Sequence, residues 1–225
     1  MINVAIDGPV GSGKSTVARE CAKRLGIMYV DTGAMYRTCA LFCIRSGVEI
    51  SPGNEAAVAG LLEKKLTLDI KMIDSVQHVY INGEDVSEAI RANEISMAAS
   101  RISALPSVRK FLLDTQLDLA KHNSVIMDGR DIGTVILPNA DIKIFMSAKP
   151  EVRAKRRYDE LIAKGANITF DEVLADVNKR DYQDSHRETA PLKQADDAVL
   201  LDTSELDFGQ TVERVIELVR SSGKL

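Results

Sequence analysis

Residues 2–16 read INVAIDGPVGSGKST, and the reading of this stretch decides the fold. Ile2, Val4, Ala5 and Ile6 form a short apolar run suited to a strand buried on both faces. Gly8, Gly11 and Gly13 then permit a tight backbone turn. After Lys14-Ser15-Thr16, the residues Ala18, Cys21, Ala22 and Leu25 recur at helical spacing. Gly8, Pro9, Val10, Gly11, Ser12, Gly13, Lys14, Ser15 and Thr16 together fit the G-x-x-x-x-G-K-[ST] phosphate loop. At average composition such a match arises by chance about once in a hundred chains of this size.

The chemistry explains the pattern. Glycines let successive backbone N–H groups point at a phosphate chain, and the helix N-terminus adds about half a positive charge. Lys14 is expected against the β- and γ-phosphates, and the Ser15 hydroxyl on Mg²⁺. The stretch therefore reads as a nucleotide-binding site on a strand–turn–helix unit.

The 225 residues fit one large α/β domain with a small inserted subdomain. Lys and Arg number 29 against 33 Asp and Glu, a net charge of −4, so no basic field invites nucleic acid. The three cysteines, Cys21, Cys39 and Cys43, show no zinc spacing and read as buried free thiols in a reducing compartment. No apolar run approaches a membrane span, and no signal-peptide pattern opens the chain. The expectation is a cytoplasmic protein with no membrane partner.

Met28 to Val30 read as a second strand, after which Asp31 or Thr32 caps a helix carrying Tyr36, Arg37 and Leu41. In an open parallel sheet the strand C-terminal ends face the ligand crevice, which makes Asp31, Thr32 and Arg37 candidates for a second substrate. Simple capping with a surface arginine explains the same residues equally well. A helix over 54–64 and alternating strands at 66–70 and 78–81 follow, with Asn82-Gly83 as a hairpin signal. This is an antiparallel insertion, and His78 reads as structural or solvated.

Helices at about 88–103 and 107–121 lead to a buried strand, Ser124 to Met127, running into Asp128-Gly129-Arg130-Asp131-Ile132-Gly133. Two acids, an arginine and two glycines at a buried strand end exceed what a structural turn needs. A strand over 141–146 precedes a basic helix, where spacing alone makes Arg153, Arg156 and Arg157 a solvated face. A further helix is expected to run on through NKRDYQDSHRET, with Arg180, Asp184 and Arg187 at i, i+4 and i+7 on one face. Two readings stand for that face, a site or an intrahelical salt-bridge ladder. Asn178-Lys179-Arg180-Asp181 matches the N-K-x-D guanine signature but lies within helical periodicity, so it is set aside as coincidence. A strand at 198–201 and a last helix close the chain.

The surplus of arginines at strand ends and on two late helices suits a second phosphate-bearing substrate, because guanidinium groups bind phosphate bidentately. At this point the sequence resembles the bacterial cytidylate (CMP) kinases. The resemblance rests on GPVGSGKST, DTGAMYR, AASRISALPSVR, DGRDIGTV, the EVRAKRR helix and KRDYQDSHRETAPL, in that order, to about residue 192. It implies a three-layer P-loop nucleoside monophosphate kinase fold, with a five-stranded parallel sheet and a small antiparallel insertion in the acceptor-binding part. It implies one kinase domain over 1–225, with a core of 1–36, 104–150 and 190–225. A CMP-binding subdomain at about 37–103 would carry the insertion at about 65–90, and a lid would span about 151–189.

The implied reaction is ATP + (d)CMP ⇌ ADP + (d)CDP, with Mg²⁺, in pyrimidine nucleotide metabolism. Carried onto this chain, Gly8 to Thr16 hold the ATP phosphates, and Ser100, Arg109 and Asp131 read the cytosine. Arg37, Arg130 and Arg187 hold the CMP phosphate, and Thr32, Arg180 and Asp184 contact the sugar. Lys14, Arg130, Asp131, Arg157 and Arg187 form the catalytic set, Arg153 and Arg157 belong to the lid, and Asp128 orders the water shell of Mg²⁺ bound at Ser15. Thr32 stands where family members often carry serine; the hydroxyl is kept. A monomer is expected. The alternatives are another P-loop small-molecule kinase of UMP, shikimate, gluconate or thymidylate type, and a GTP-binding switch protein.

Overall fold

The computed structural model describes residues 1–73 and 76–224. In chain order the elements are β1 (Asn3–Asp7), α1 (Lys14–Leu25), β2 (Met28–Asp31), α2 (Thr32–Arg45), α3 (Glu55–Lys65), β3 (Leu68–Ile73), β4 (Val76–Ile81) and β5 (Glu84–Asp85). They continue with α4 (Asn93–Ile102), α5 (Pro106–His122), β6 (Val125–Gly129), β7 (Ile142–Ser147), α6 (Pro150–Ala163), α7 (Phe170–His186), β8 (Val199–Asp202) and α8 (Phe208–Arg220). Five strands form one sheet in the order β2-β6-β1-β7-β8, and three form a second, β3-β4-β5. These are the parallel sheet and the small antiparallel sheet expected from the sequence. By contacts the chain divides into two compact units, Met1–Ile27 with Ser124–Leu225, and Met28–Asn123.

In the first unit β1 pairs in parallel with β6 (Ala5↔Met127, Asp7↔Gly129) and with β7 (Ala5↔Lys143, Asp7↔Phe145), and β7 pairs in parallel with β8. The apolar run of β1 is buried as its composition requires, with Ile2, Val4, Ala5 and Ile6 all sealed from solvent. Asp7 and Gly129 end paired strands, so the segments after β1 and β6 emerge side by side. Helix α1 packs on α8, which presents Val212, Val215, Ile216 and Val219 to the core. A capping box between Asp207 and Gln210 starts α8. Gly26, left-handed at φ 67°, ends α1.

The second unit has its own core, centred on Met35, Cys39, Leu62, Ile95, Ile102 and Leu112. Helix α2 packs on α4, and α3 on α5. Asp31 caps α2, its carboxylate accepting from the Ala34 amide at 2.8 Å. Asn82 (φ 52°) and Gly83 (φ 88°) form the two-residue turn joining β4 to β5, with Ile81 paired to Glu84. His78 pairs with Asp85 at 2.7 Å across that hairpin, a structural role. All three cysteines are free and buried, and burial pushes their thiols well above the ordinary range.

Two local expectations differ from the structure. Helix α7 ends at His186, so Arg187 (φ −67°, ψ 142°) leaves the helix instead of continuing its face. Leu192 N, directly after Pro191, donates to the Asp184 carbonyl at 2.7 Å, turning the chain back onto the last helical turn. Arg153 does not join a solvated face, being 3 % exposed. Among the described residues no helix is long and apolar enough to cross a membrane.

Candidate active site

The phosphate loop is shaped by steric necessity. A Cβ on Gly8 would lie 2.0 Å from the Met146 carbonyl oxygen of β7, so no side chain fits there. Gly13, left-handed at φ 86°, delivers the chain into α1. Lys14 is buried, and its ammonium donates to the Pro9 carbonyl at 3.3 Å, folded back over the loop. Burial, with the Arg130 charge nearby, lowers its pKa to about 7. Among the described residues the Ser12 hydroxyl is buried without a hydrogen-bond partner. A buried orphan hydroxyl inside a glycine loop fits a phosphate oxygen.

The β6 end meets this loop. Ser15 Oγ donates to Asp128 Oδ2 at 2.6 Å. Asp7, the last residue of β1, accepts from the Ile132 and Gly133 amides at 2.8 and 2.7 Å. Burial pushes Asp7 up to about 6, against the pull of those two amides. The strand bearing the phosphate loop thus also anchors the loop bearing Arg130 and Asp131. Asp7 reads as an ordinary strand residue in the sequence, and only its placement beside β6 reveals this role.

Helix α7 supplies the remaining charges. Arg130 Nε donates to Asp184 Oδ2 at 2.7 Å, and Arg187 Nη2 lies 3.6 Å from Asp131 Oδ1, with Asp131 buried and Arg187 half-buried. The predicted face is therefore divided. Arg180 pairs with Asp176 one turn back at 3.0 Å, while Asp184 and Arg187 take partners from the β6 loop. The first unit brings Lys14, Ser15, Asp128, Arg130, Asp131, Asp184 and Arg187 into one charged cluster. Arg157 stands apart from it, paired with Glu160 at 2.9 Å on a partly exposed face of α6.

The second unit holds Thr32, Arg37, Ser100 and Arg109. Arg37 Nη2 donates to Asp31 Oδ2 at 2.8 Å, and its Nε is buried without a hydrogen-bond partner among the described residues. Arg109 donates to the Ser103 carbonyl at 3.2 Å, with its guanidinium over the Tyr36 ring at 5.7 Å. Thr32 is buried in the first turn of α2, and Ser100 is half-buried in α4. Among the described residues no group of three or more His, Cys, Asp or Glu is placed to hold a metal ion. A hydroxyl beside a carboxylate, as at Ser15 and Asp128, is the sparse oxygen set that suits Mg²⁺ already carried on phosphates.

The family model described as Cytidylate kinase matches residues 4–221. The chain belongs to the cytidylate kinase family. Among relatives of that name, the Lactobacillus johnsonii protein is 45 % identical over 224 residues, covering 100 % of this chain and 96 % of the relative. The Geobacter sulfurreducens protein is 48 % identical over 219 residues, covering 96 % and 92 %. Among solved structures, an uncharacterized protein from Eubacterium ventriosum aligns with a TM-score of 0.52 at 13 % identity, covering 98 % of this chain and 99 % of that one. That likeness speaks to the fold alone. Family membership agrees with the motif reading and leaves the individual roles of the clustered residues to be argued from geometry.

Proposed function

We propose that the protein transfers the γ-phosphoryl group of ATP to CMP and dCMP, giving CDP and dCDP. The observation that carries this reading is the 2.6 Å hydrogen bond from Ser15 of the phosphate loop to Asp128 of the β6 end. It supports the reading because the glycine loop, which would cradle the triphosphate, meets a loop carrying two acids and an arginine.

The loop amides and Lys14 would take the β- and γ-phosphates of ATP, and Ser15 with Asp128 would hold Mg²⁺. Bound there, the cation would neutralise phosphate charge. Arg130 and Arg187 would draw the CMP phosphate in, helped by Arg37. An acceptor phosphate oxygen then attacks the γ-phosphorus, the bond to the β–γ bridging oxygen breaks, and ADP leaves with that electron pair. The protein's contribution is positioning and charge neutralisation, so it needs no base-activated nucleophile. Asp131, Ser100 and Arg109 would read the cytosine edge, and Thr32, Arg180 and Asp184 the sugar. We assign Arg157 to a lid that excludes water, and read the chain as a cytoplasmic monomer.

The guanine-switch alternative loses its anchor, because Asp181 of the N-K-R-D tetrapeptide lies inside α7 and is occupied by Arg153. The test is an acceptor screen with ATP and Mg²⁺. CMP and dCMP should be turned over, and UMP should be a much poorer acceptor, since a polar site rejects an edge that leaves its own groups unpaired. Equal kcat/KM for UMP and CMP would refute the cytosine assignment. Turnover of shikimate or gluconate instead of CMP would refute the reaction.

A further inference from the structure

The tetrapeptide Asn178-Lys179-Arg180-Asp181 is no guanine-reading signature, yet its Asp181 is engaged on both carboxylate oxygens. Arg153 of α6 donates to it twice, from Nη1 at 3.0 Å and from Nη2 at 2.6 Å. The same guanidinium donates from Nη1 to the Val10 carbonyl of the phosphate loop at 3.0 Å, and from Nε to the Ala148 carbonyl at 2.8 Å. A Cβ on Gly11 would lie 3.2 Å from the Arg153 Cβ, so loop and helix are in close approach. One buried arginine thus fastens the phosphate loop, the segment after β7, and α7.

Helix α7 is fastened again farther along. Asp184, three residues beyond Asp181, takes Arg130, and Arg187 past the helix end faces Asp131. Near Asp181 the helix is tied to the loop that holds the donor; at its C-terminal end it is tied to the loop that would hold the acceptor phosphate. A forked guanidinium–carboxylate pair is directional as well as charged, so it transmits position. With Arg153 desolvated, loss of the Asp181 charge leaves a cation uncompensated and removes the tie.

We propose that the Arg153–Asp181 pair is a coupling latch, making Asp181 a positioning residue that links donor occupancy of the phosphate loop to the placement of Asp184 and Arg187. Movement of the Val10 carbonyl as phosphates fill the loop is carried by Arg153 to α7. Because coupling is reciprocal, acceptor binding tightens donor binding by the same factor. The latch rests on the ATP-to-CMP reading above.

The test measures binding of a non-hydrolysable ATP analogue by calorimetry, with and without CMP, beside steady-state kinetics. In the wild type, CMP should tighten the analogue by about fivefold or more. In Asp181→Asn that factor should fall to about one, with kcat down roughly tenfold through lost positioning. A wild-type factor of one, or an Asp181→Asn enzyme with full coupling and kcat within about twofold of wild type, overturns the latch, whatever its Tm; a merely structural ion pair moves Tm and leaves the coupling factor alone. Should Asp181→Asn fail to fold, Arg153→Lys carries the same test. It keeps the charge but loses the fork, and should lose at least half of the coupling; full coupling in that variant also overturns the proposal. If the reaction itself were misread, wild-type enzyme would turn over no CMP. If only the latch is wrong, wild type turns over CMP and the variant matches it.

Discussion

The candidate side chains of the two units are held in different ways. In the first unit the central pairs join distant stretches of chain, while Arg157 and Arg180 take partners on their own helices. Arg130 meets Asp184, 54 residues away, and Arg153 meets Asp181, 28 residues away. In the second unit they fold back on near neighbours. Arg37 meets Asp31 and Arg109 meets the Ser103 carbonyl, each six residues away. A long-range pair is fixed only when whole elements are in place, so it preorganises a site at the cost of tying elements together. A short-range pair spans only six residues of chain and releases its side chain by a rotamer change. The difference predicts where mutational damage appears: in kcat for the first unit and in KM for the second.

The sharpest probe is Lys14→Met, which removes the buried lysine of the glycine loop; on the proposed reading kcat should fall by on the order of 10³ in a coupled assay. Arg187→Ala should lower kcat by on the order of 10², because it removes a charge that faces Asp131 and, on the proposed reading, would face the moving phosphoryl group. Near wild-type turnover in Arg187→Ala would return that residue to a purely structural ion pair. Arg37→Ala should raise KM for CMP by about tenfold, the worth of one charge-assisted hydrogen bond, with little change in kcat. A kcat loss there as large as that of Arg187→Ala would break the contrast between the units.

The smallest effect is a matter of protons. Lys14 is lowered to about 7 by burial, and phosphates would restore its charge. Below pH 7 the group is already charged, so nucleotide binding takes up no proton through it. Above pH 7 the free protein holds it neutral, and binding takes up most of a proton near pH 8. Calorimetry in two buffers of different ionisation enthalpy measures this uptake, and its absence at pH 8 would place the Lys14 pKa well above 7.

What the sequence disclosed follows the same division. Residues 2–16 announced strand, turn and helix because glycine positions and apolar spacing are local properties. A cap at Asp31 or Thr32 and a turn at Asn82-Gly83 were legible for the same reason, the structure choosing Asp31 for the cap. The partners of Asp184, Arg187 and Arg153 were not. Helical spacing at 180, 184 and 187 suggested neighbours on one face, yet Asp184 and Arg187 chose the β6 loop and left Arg180 to Asp176. Spacing reports which residues share a turn and says nothing of which distant strand end comes to meet them. Asp7 and Asp181 went unread on that account: one looked like the end of a strand, the other like a chance match to a guanine signature.

The sealed thiols also give the molecule an internal clock. Cys21 lies in α1 of one unit, and Cys39 and Cys43 lie in α2 of the other, all buried and held protonated by that burial. An alkylating reagent reaches them only through local opening. The order in which peptides bearing these residues become labelled would therefore report which half of the chain breathes first, without any engineered probe.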